Sequence, residues 1–533
     1  MLPGEGCGST FVSSRSESGD TTASMSSFPR RVSEVASWTL ASRFLGLLRD
    51  VLLFASLGTG ALNSAFILAF TLPNLFRRLL GEGALTSSSI PVLAECLEKK
   101  GKEDALNLLN AVLFRLGLAL LGLLVLAFPL FVLLGRIPGL PERWYLGAQL
   151  SQVLFPYMLF ICLGALICGM LNVLGRFGLA AFNQVWLNLT MILATLAGFW
   201  YFPFEGWERV ILISVGVLIG GILQLMVPAG GLLREGWRPK GGFKSHPELN
   251  KILRLFLPGL LGAAIFQINI LVSRVLAFSL DDTATGLLYI SSRLVELPLG
   301  VFAIAVTTVI FPELSRLSSS GNERGFSKTF QNGLGLIFMI TLPAALGLIL
   351  LSGPILGFLF QWGLFEARDV AAAKPVLCAA AIGLPFFAWS TLLTRAWYAR
   401  QQMRIPVILA AANLFINLIL GLILMQVLGA VGLALANALS SMIHCLLLQI
   451  LLPGKIAMGT RFRNLASLVG GLLLMGVIAA GGTTLINQLA VSGKLQDLLV
   501  VLVLIPIAMI AYFGLLWILK YPALKGFAAK QRN

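Results

Sequence analysis

The sequence predicts an all-α, polytopic integral membrane protein of 14 transmembrane helices. Twelve fall into two pseudo-symmetric six-helix lobes around a central cavity, and two more follow at the C-terminal end. Three observations carry this. Of 533 residues, 57% are hydrophobic and only 12% charged, about half the charge of a soluble chain. Apolar runs long enough to cross roughly 30 Å of hydrocarbon recur from end to end. A weak internal repeat relates the first half of the chain to the second.

Taken in order, residues 1–29 are rich in Ser, Gly and Thr and lack a hydrophobic stretch. That composition predicts a disordered tail rather than a signal peptide. Candidate spans near 34–57, 61–97, 105–134, 146–174, 180–202 and 209–233 make up a first lobe, 30–233. Spans near 250–279, 284–317, 327–360, 370–400, 405–427 and 430–452 make up a second, 250–452. A last pair, near 464–489 and 497–519, fills 464–519, and a basic tail, 520–533, ends the chain. The second span would measure about 55 Å as one helix, too long for a single crossing. A bend is expected at Pro73, Gly81 and Gly83.

The repeat pairs Ile90-Pro91-Val92-Leu93-Ala94-Glu95 with Phe311-Pro312-Glu313-Leu314-Ser315-Arg316. Phe155-Pro156 corresponds to Leu384-Pro385, and Asn188 to Asn417, at one shared offset. Six spans per half is an even number, so both halves enter from the same side and the repeat is parallel.

The net charge is +16, from 39 Lys+Arg against 23 Asp+Glu. Most of the surplus lies in loops on one side, including Lys99, Lys100, Arg234, Arg238, Arg316, Arg324, Arg400 and Arg404. The positive-inside rule assigns that side, and both termini, to the cytoplasm. The surplus therefore reports topology and gives no reason to expect nucleic acid as a partner. The six cysteines form no CxxC pair, and His246 and His444 are far apart in sequence. No metal site is expected, and the thiols read as free.

Eight arginines remain inside spans: Arg43, Arg49, Arg77, Arg78, Arg115, Arg274, Arg293 and Arg395. Each costs about 2.5–3.5 kcal/mol at a helix centre. Arg78, Arg115 and Arg395 read as structural, near span ends or snorkelling. The others lie on polar arcs at helical spacing. On the first helix these are Ser42, Arg43, Gly46, Arg49 and Asp50. On the second they are Asn63, Ser64, Thr71, Asn74, Arg77 and Glu82. Gln267 and Arg274 share a face of the seventh helix, as do Tyr289, Arg293 and Glu296 on the eighth. Lipid cannot face such stripes, so they predict a hydrated cavity between the halves.

These arginines could simply pair with Asp50, Glu82 and Glu296 and hold helices together. Five against three leaves a positive surplus, and guanidinium forks match phosphate oxygens. The expected ligand is therefore a phosphate-bearing substrate held by Arg43, Arg49, Arg77, Arg274 and Arg293. Asp50, Asn74, Glu82 and Glu296 would support them. A drug or cation antiporter would need unpaired carboxylates, the opposite sign. An enzyme would need a metal-binding or nucleophilic constellation, yet the pair Asp281-Asp282 sits in a short loop without histidine and reads as a solvated turn. A scaffold would leave the polar stripes unexplained.

The segments Ser42-Arg43-Phe44-Leu45-Gly46-Leu47-Leu48-Arg49-Asp50 and Phe70-Thr71-Leu72-Pro73-Asn74-Leu75-Phe76-Arg77-Arg78-Leu79-Leu80-Gly81-Glu82-Gly83-Ala84 closely resemble the MurJ (MviN) family of lipid II flippases. This is a branch of the multidrug/oligosaccharidyl-lipid/polysaccharide (MOP) exporter superfamily. Arg293-Leu294-Val295-Glu296-Leu297-Pro298-Leu299-Gly300-Val301 and Leu351-Ser352-Gly353-Pro354 agree as well, and the likeness runs from about residue 30 onward. It implies a monomeric carrier in the bacterial cytoplasmic (inner) membrane that serves peptidoglycan biosynthesis. Lipid II, a disaccharide-pentapeptide on undecaprenyl pyrophosphate, would pass from the inner to the outer leaflet by alternating access. The family's cavity arginines correspond here to Arg43, Arg49, Arg77 and Arg293, and its last two helices to a groove for the lipid tail. Relatives often carry an acid where this chain has Asn63-Ser64, and some bind sodium through acids where it offers Asn269, Asn413 and Asn417. No cofactor is expected; the energy source is the membrane potential or a monovalent cation gradient. The alternative left open is a flippase for another polyisoprenyl-pyrophosphate glycan, such as an O-antigen unit.

Overall fold

The computed structural model describes residues 20–81, 83–200, 204–240, 246–454, 462–488, 493–522 and 524, and their regular secondary structure is all helical. The first half contains α1 (Asp20–Leu57), α2 (Ala61–Phe76), α3 (Ala84–Lys100), α4 (Lys102–Leu134), α5 (Glu142–Leu154), α6 (Tyr157–Val173), α7 (Phe177–Trp200) and α8 (Gly206–Arg234). The second contains α9 (Leu249–Leu280), α10 (Ala284–Pro298), α11 (Ile304–Ser319), α12 (Glu323–Leu350), α13 (Ser352–Phe360), α14 (Ala367–Ile382), α15 (Leu384–Ala399) and α16 (Arg404–Ile450). The chain ends with α17 (Phe462–Gln488), α18 (Gly493–Leu499) and α19 (Ile505–Ile518).

Ten described helical runs are long and apolar enough to cross a membrane, and the bent pair α5–α6, which turns by 41°, makes eleven. α1 and α2 are not among them. α1 places Arg43, Arg49 and Asp50 within one crossing length, and α2 is only 16 residues long. The expected bend in the second span is real. A π-helical turn, Arg77–Gly81, follows Pro73 by four residues and ends α2. A Cβ at Gly83 would lie 2.6 Å from the Arg78 carbonyl oxygen, so the chain can restart as α3 only over a glycine.

The second half has features at matching places. A π-turn, Leu299–Ala303, follows Pro298 and joins α10 to α11. The α5–α6 break at Pro156 and the α14–α15 break, with Pro385 in the first turn of α15, occupy corresponding positions. α16 is interrupted at Gly429 (φ 59°, ψ −134°), between the spans expected at 405–427 and 430–452.

One expectation needs correcting. α1 begins at Asp20, so residues 20–29, expected within the disordered tail, are helical, and residues 1–19 lie outside the described residues. Once the membrane segment of α1 is formed, each added residue costs one backbone conformation and gains one hydrogen bond. Pro29 does not prevent the extension.

Packing places α1 against α7 and α2 against α5, while α9 lies against α16 and α3. One apolar core, with Phe66, Leu150, Tyr157 and Val217, sits within the first half. Another, with Leu314, Phe330, Leu392 and Trp397, sits within the second. Between them lies the site.

Candidate functional site

A cavity of about 1130 Å³ lies between the two halves, larger than a pocket for a drug-sized molecule. Its walls include Arg43, Arg49, Asp50, Asn74, Arg77, Arg274, Arg293 and Glu296. Every site residue read from the sequence is therefore on one surface, except Glu82, which lies outside the described residues. Two arginines read as merely structural, Arg78 and Arg395, line it too, whereas Arg115 is not in the wall and donates to the Ala111 carbonyl at 3.2 Å. Asn63 and Ser64, placed on the cavity arc from sequence, are instead buried beyond its end. Among the described lining residues, seven arginines face two carboxylates.

The centre of the cluster is Asp50, which is 3% exposed. Its Oδ1 accepts from Arg49 Nη2 at 2.7 Å and from the Tyr289 hydroxyl at 2.9 Å. Its Oδ2 pairs with Arg293 Nε at 3.2 Å, which joins α1 of one half to α10 of the other. Arg293 also reaches Glu296 at 3.1 Å and the Tyr289 oxygen at 3.0 Å. Arg49 donates further to Asn188 Oδ1 at 3.0 Å, and Asn188 Nδ2 donates to the Ser42 carbonyl at 3.1 Å. Tyr289 lies between two guanidiniums, Arg274 at 4.9 Å and Arg293 at 5.0 Å from its ring centre, where the ring face offsets part of their charge. Arg77 Nε donates to Asn74 at 3.2 Å. Arg43 is exposed at the cavity surface. One carboxylate thus orients two arginines within a wall whose described charges are mainly cationic.

One end of the cavity is shut by contacts between the halves. Arg143 of α5 donates to the Phe278 and Ser279 carbonyls at 2.7 and 3.0 Å and pairs with Asp282 at 3.0 Å. Ser64 Oγ donates to the Asp282 carbonyl at 2.5 Å, Thr59 Oγ1 to Asp369 at 2.6 Å, and Leu364 N to the Ala55 carbonyl at 2.8 Å. The pair read as a solvated turn is exposed, and it also has structural contacts: Asp281 caps α10 through Thr283 N and Ala284 N, both at 2.7 Å, and Asp282 is part of the closure. Arg143→Ala removes three of these hydrogen bonds. A cysteine introduced at Ser292 should then react several-fold faster with a membrane-impermeant maleimide added from that side. Unchanged labelling would remove Arg143 from the closure.

At the opposite end a polar seam ties α3 to the start of α9. Lys251 pairs with Glu95 at 2.5 Å and Lys100 with Glu248 at 2.9 Å. His246, expected to stand alone, lies with Cys96 and Asp104 in a group that could hold a metal. Asp104 Oδ2 accepts from Cys96 Sγ and pairs with His246 Nε2, both at 3.2 Å, while His246 Nδ1 accepts from Glu248 N. With Nδ1 used as an acceptor, a neutral imidazole keeps its proton on Nε2, which is then a donor and not a ligand. The hydrogen bonds from Lys251 and then Lys99 hold the Glu95 carboxyl down at about 2. A depressed carboxylate stabilises the fold fully above its ordinary value of 4.5 and loses that contribution as pH falls toward about 2. The melting-temperature difference between the wild type and Lys251→Ala should therefore be present at about pH 6 and shrink below about pH 4.5. A difference that grows on acidification would contradict this pairing.

The family profile described as "Lipid II flippase MurJ" matches residues 54–501. The chain belongs to this family. A "Probable lipid II flippase MurJ" of Bdellovibrio bacteriovorus is 33% identical over 499 residues, covering 91% of this chain and 93% of the relative. One of Vibrio cholerae is 34% identical over 428 residues, 78% of this chain and 81% of the relative. A solved structure titled "Lipid II flippase MurJ, inward closed conformation" superimposes with a TM-score of 0.72 at 26% identity, over 90% of this chain and 97% of that one. An inward-facing MATE transporter of the MOP superfamily shares the fold at a TM-score of 0.65 and 17% identity, over 78% and 94%. The family resemblance read from the sequence is thereby established. The MurJ family consists of transporters, so the chain is a multi-pass inner-membrane protein and not an enzyme.

Proposed function

We propose that this MurJ-family chain flips lipid II from the inner to the outer leaflet, with the pyrophosphate held by Arg43, Arg49, Arg77, Arg274 and Arg293. The observation that carries this is the sign of the cavity, seven arginines against two carboxylates among the described residues of its wall. Asp50, Asn74 and Glu296 orient the cations. The two halves, 30–233 and 250–452, act as the lobes between which access alternates, and 464–519 offers the lipid tail an apolar path. The basic loops place both termini in the cytoplasm. The end closed by Arg143 and Asp282 is then the outer one, the seam of Lys251–Glu95 and Lys100–Glu248 crosses the halves at the inner one, and the carrier acts as a monomer.

For energy we propose the membrane potential, worth about 2.3 kcal/mol per charge per 100 mV, with a monovalent cation gradient as the other source. In support, Asn417 Nδ2 donates to Asn269 at 2.8 Å and Ser273 at 3.0 Å, so neutral groups pair there without a carboxylate. Native mass spectrometry of the purified protein with lipid II and with an O-antigen-type lipid tests the substrate. Retention of lipid II alone is expected; preference for the O-antigen lipid would transfer the function to the alternative glycan.

A further inference from the structure

The guanidinium of Arg43 rests on Gly300: a Cβ built at Gly300 would collide first with Nη1, then with Nη2 and Cζ, of Arg43. This contact joins α1 of the first half to the π-turn Leu299–Ala303 of the second. A π-turn carries one extra residue and rotates the residues within it relative to the flanking helix. Here the rotation brings a bare Cα against an arginine.

The matching π-turn in the first half makes the comparison sharper. Arg77–Gly81 and Leu299–Ala303 are both five residues long, and their second positions are Arg78 and Gly300. Where the first turn places an arginine in the cavity wall, the second places no side chain at all and accepts one from the other half. An alanine at this position has space only if the guanidinium moves. Because the obstructing atoms are the far end of a flexible side chain, the backbone has no need to yield.

We infer that Gly300 is a positioning residue for substrate binding: its missing side chain forms the seat that aims the Arg43 guanidinium into the cavity. The inference rests on the phosphate-binding reading given above for Arg43. The seat also exists only while α1 and the α10–α11 turn are together, so it aims Arg43 in the state seen here and releases it when the halves part.

The test compares four full-length proteins: wild type, Gly300→Ala, Arg43→Ala and the double variant. The first readout is independent of substrate. In the absence of lipid, phenylglyoxal modification of Arg43, followed by peptide mass spectrometry, should be several-fold faster in Gly300→Ala than in wild type, with unchanged melting temperature. The second is affinity for lipid II by native mass spectrometry. Gly300→Ala should bind roughly ten-fold more weakly than wild type, and the double variant no more weakly than Arg43→Ala alone, because residues acting through one another are non-additive. Unchanged modification of Arg43, or additive losses in the double variant, would overturn the seat. Failure of the wild type to retain lipid II while Gly300→Ala still exposes Arg43 would overturn the substrate reading and leave the seat standing.

Discussion

An Arg49→Ala protein is expected to reach the membrane at normal levels and fail to rescue cells depleted of their lipid II flippase. Two effects add. The variant loses a buried fork that donates to Asp50, Asn188 and Tyr289, so the partners it aligned lose a common reference. It also leaves Asp50 with Arg293 and the Tyr289 hydroxyl, which makes this part of the wall less cationic where an anion must approach. Hydrogen bonds involving charged groups contribute about 1.5–3 kcal/mol each, so losing two corresponds to a lipid II affinity on the order of 100-fold weaker or worse. Arg49→Lys should rescue poorly as well, because an ammonium cannot reproduce a planar fork that reaches three partners. Full rescue by Arg49→Ala would show that the cluster does not bind substrate.

The second large effect is on stability. Asp50→Asn removes the buried carboxylate between Arg49 and Arg293 while preserving its shape. The two guanidiniums would then face each other with Glu296 as the described carboxylate in reach and the neutral Tyr289 and Asn188 as their other partners. Breaking a buried ion pair from one side costs about 3–5 kcal/mol. The melting temperature, measured by size-exclusion fluorescence after heating, should fall clearly below that of Arg49→Ala, which leaves Asp50 paired. Soluble pyrophosphate should restore more of it in Asp50→Asn than in wild type, since an added anion takes the place of the missing one. Equal melting temperatures for Asp50→Asn and wild type would mean that the cluster needs no internal counter-ion.

The helical architecture was legible because hydrophobic length and polar arcs are local properties. Pro73 marked a bend that the structure places just beyond it, whereas Pro156 and Pro385, read only as a repeat like Asn188 and Asn417, lie at helix breaks inside spans drawn as continuous. The cavity arginines were legible because a charge inside an apolar run has no cheap lipid-facing position. What stayed hidden depends on rotation and on long-range contact. Arg78 and Arg395 read as span-end residues because a π-turn, invisible in composition, turns Arg78 inward, and because Arg395 lies over Phe311 across the wall. Asn63 and Ser64 share the arc of Asn74 on a helical wheel, yet they sit too far along α2 to reach the cavity. Tyr289 lay on the predicted face, but its position between Arg274, Arg293 and Asp50 depends on three separate helices.

The two asparagine contacts carry a mechanical consequence. Asn188 fastens α7 to the Ser42 carbonyl of α1, and Asn417 fastens α16 to Asn269 and Ser273 of α9. Each bolt joins helices within its own half and spares the boundary between them. The stiffness these contacts add lies inside each half, while the halves meet through separable polar contacts at both ends, Arg143–Asp282 and Thr59–Asp369 at one and Lys251–Glu95 and Lys100–Glu248 at the other. A lever needs rigid arms more than it needs a loose pivot, and these amides supply the arms.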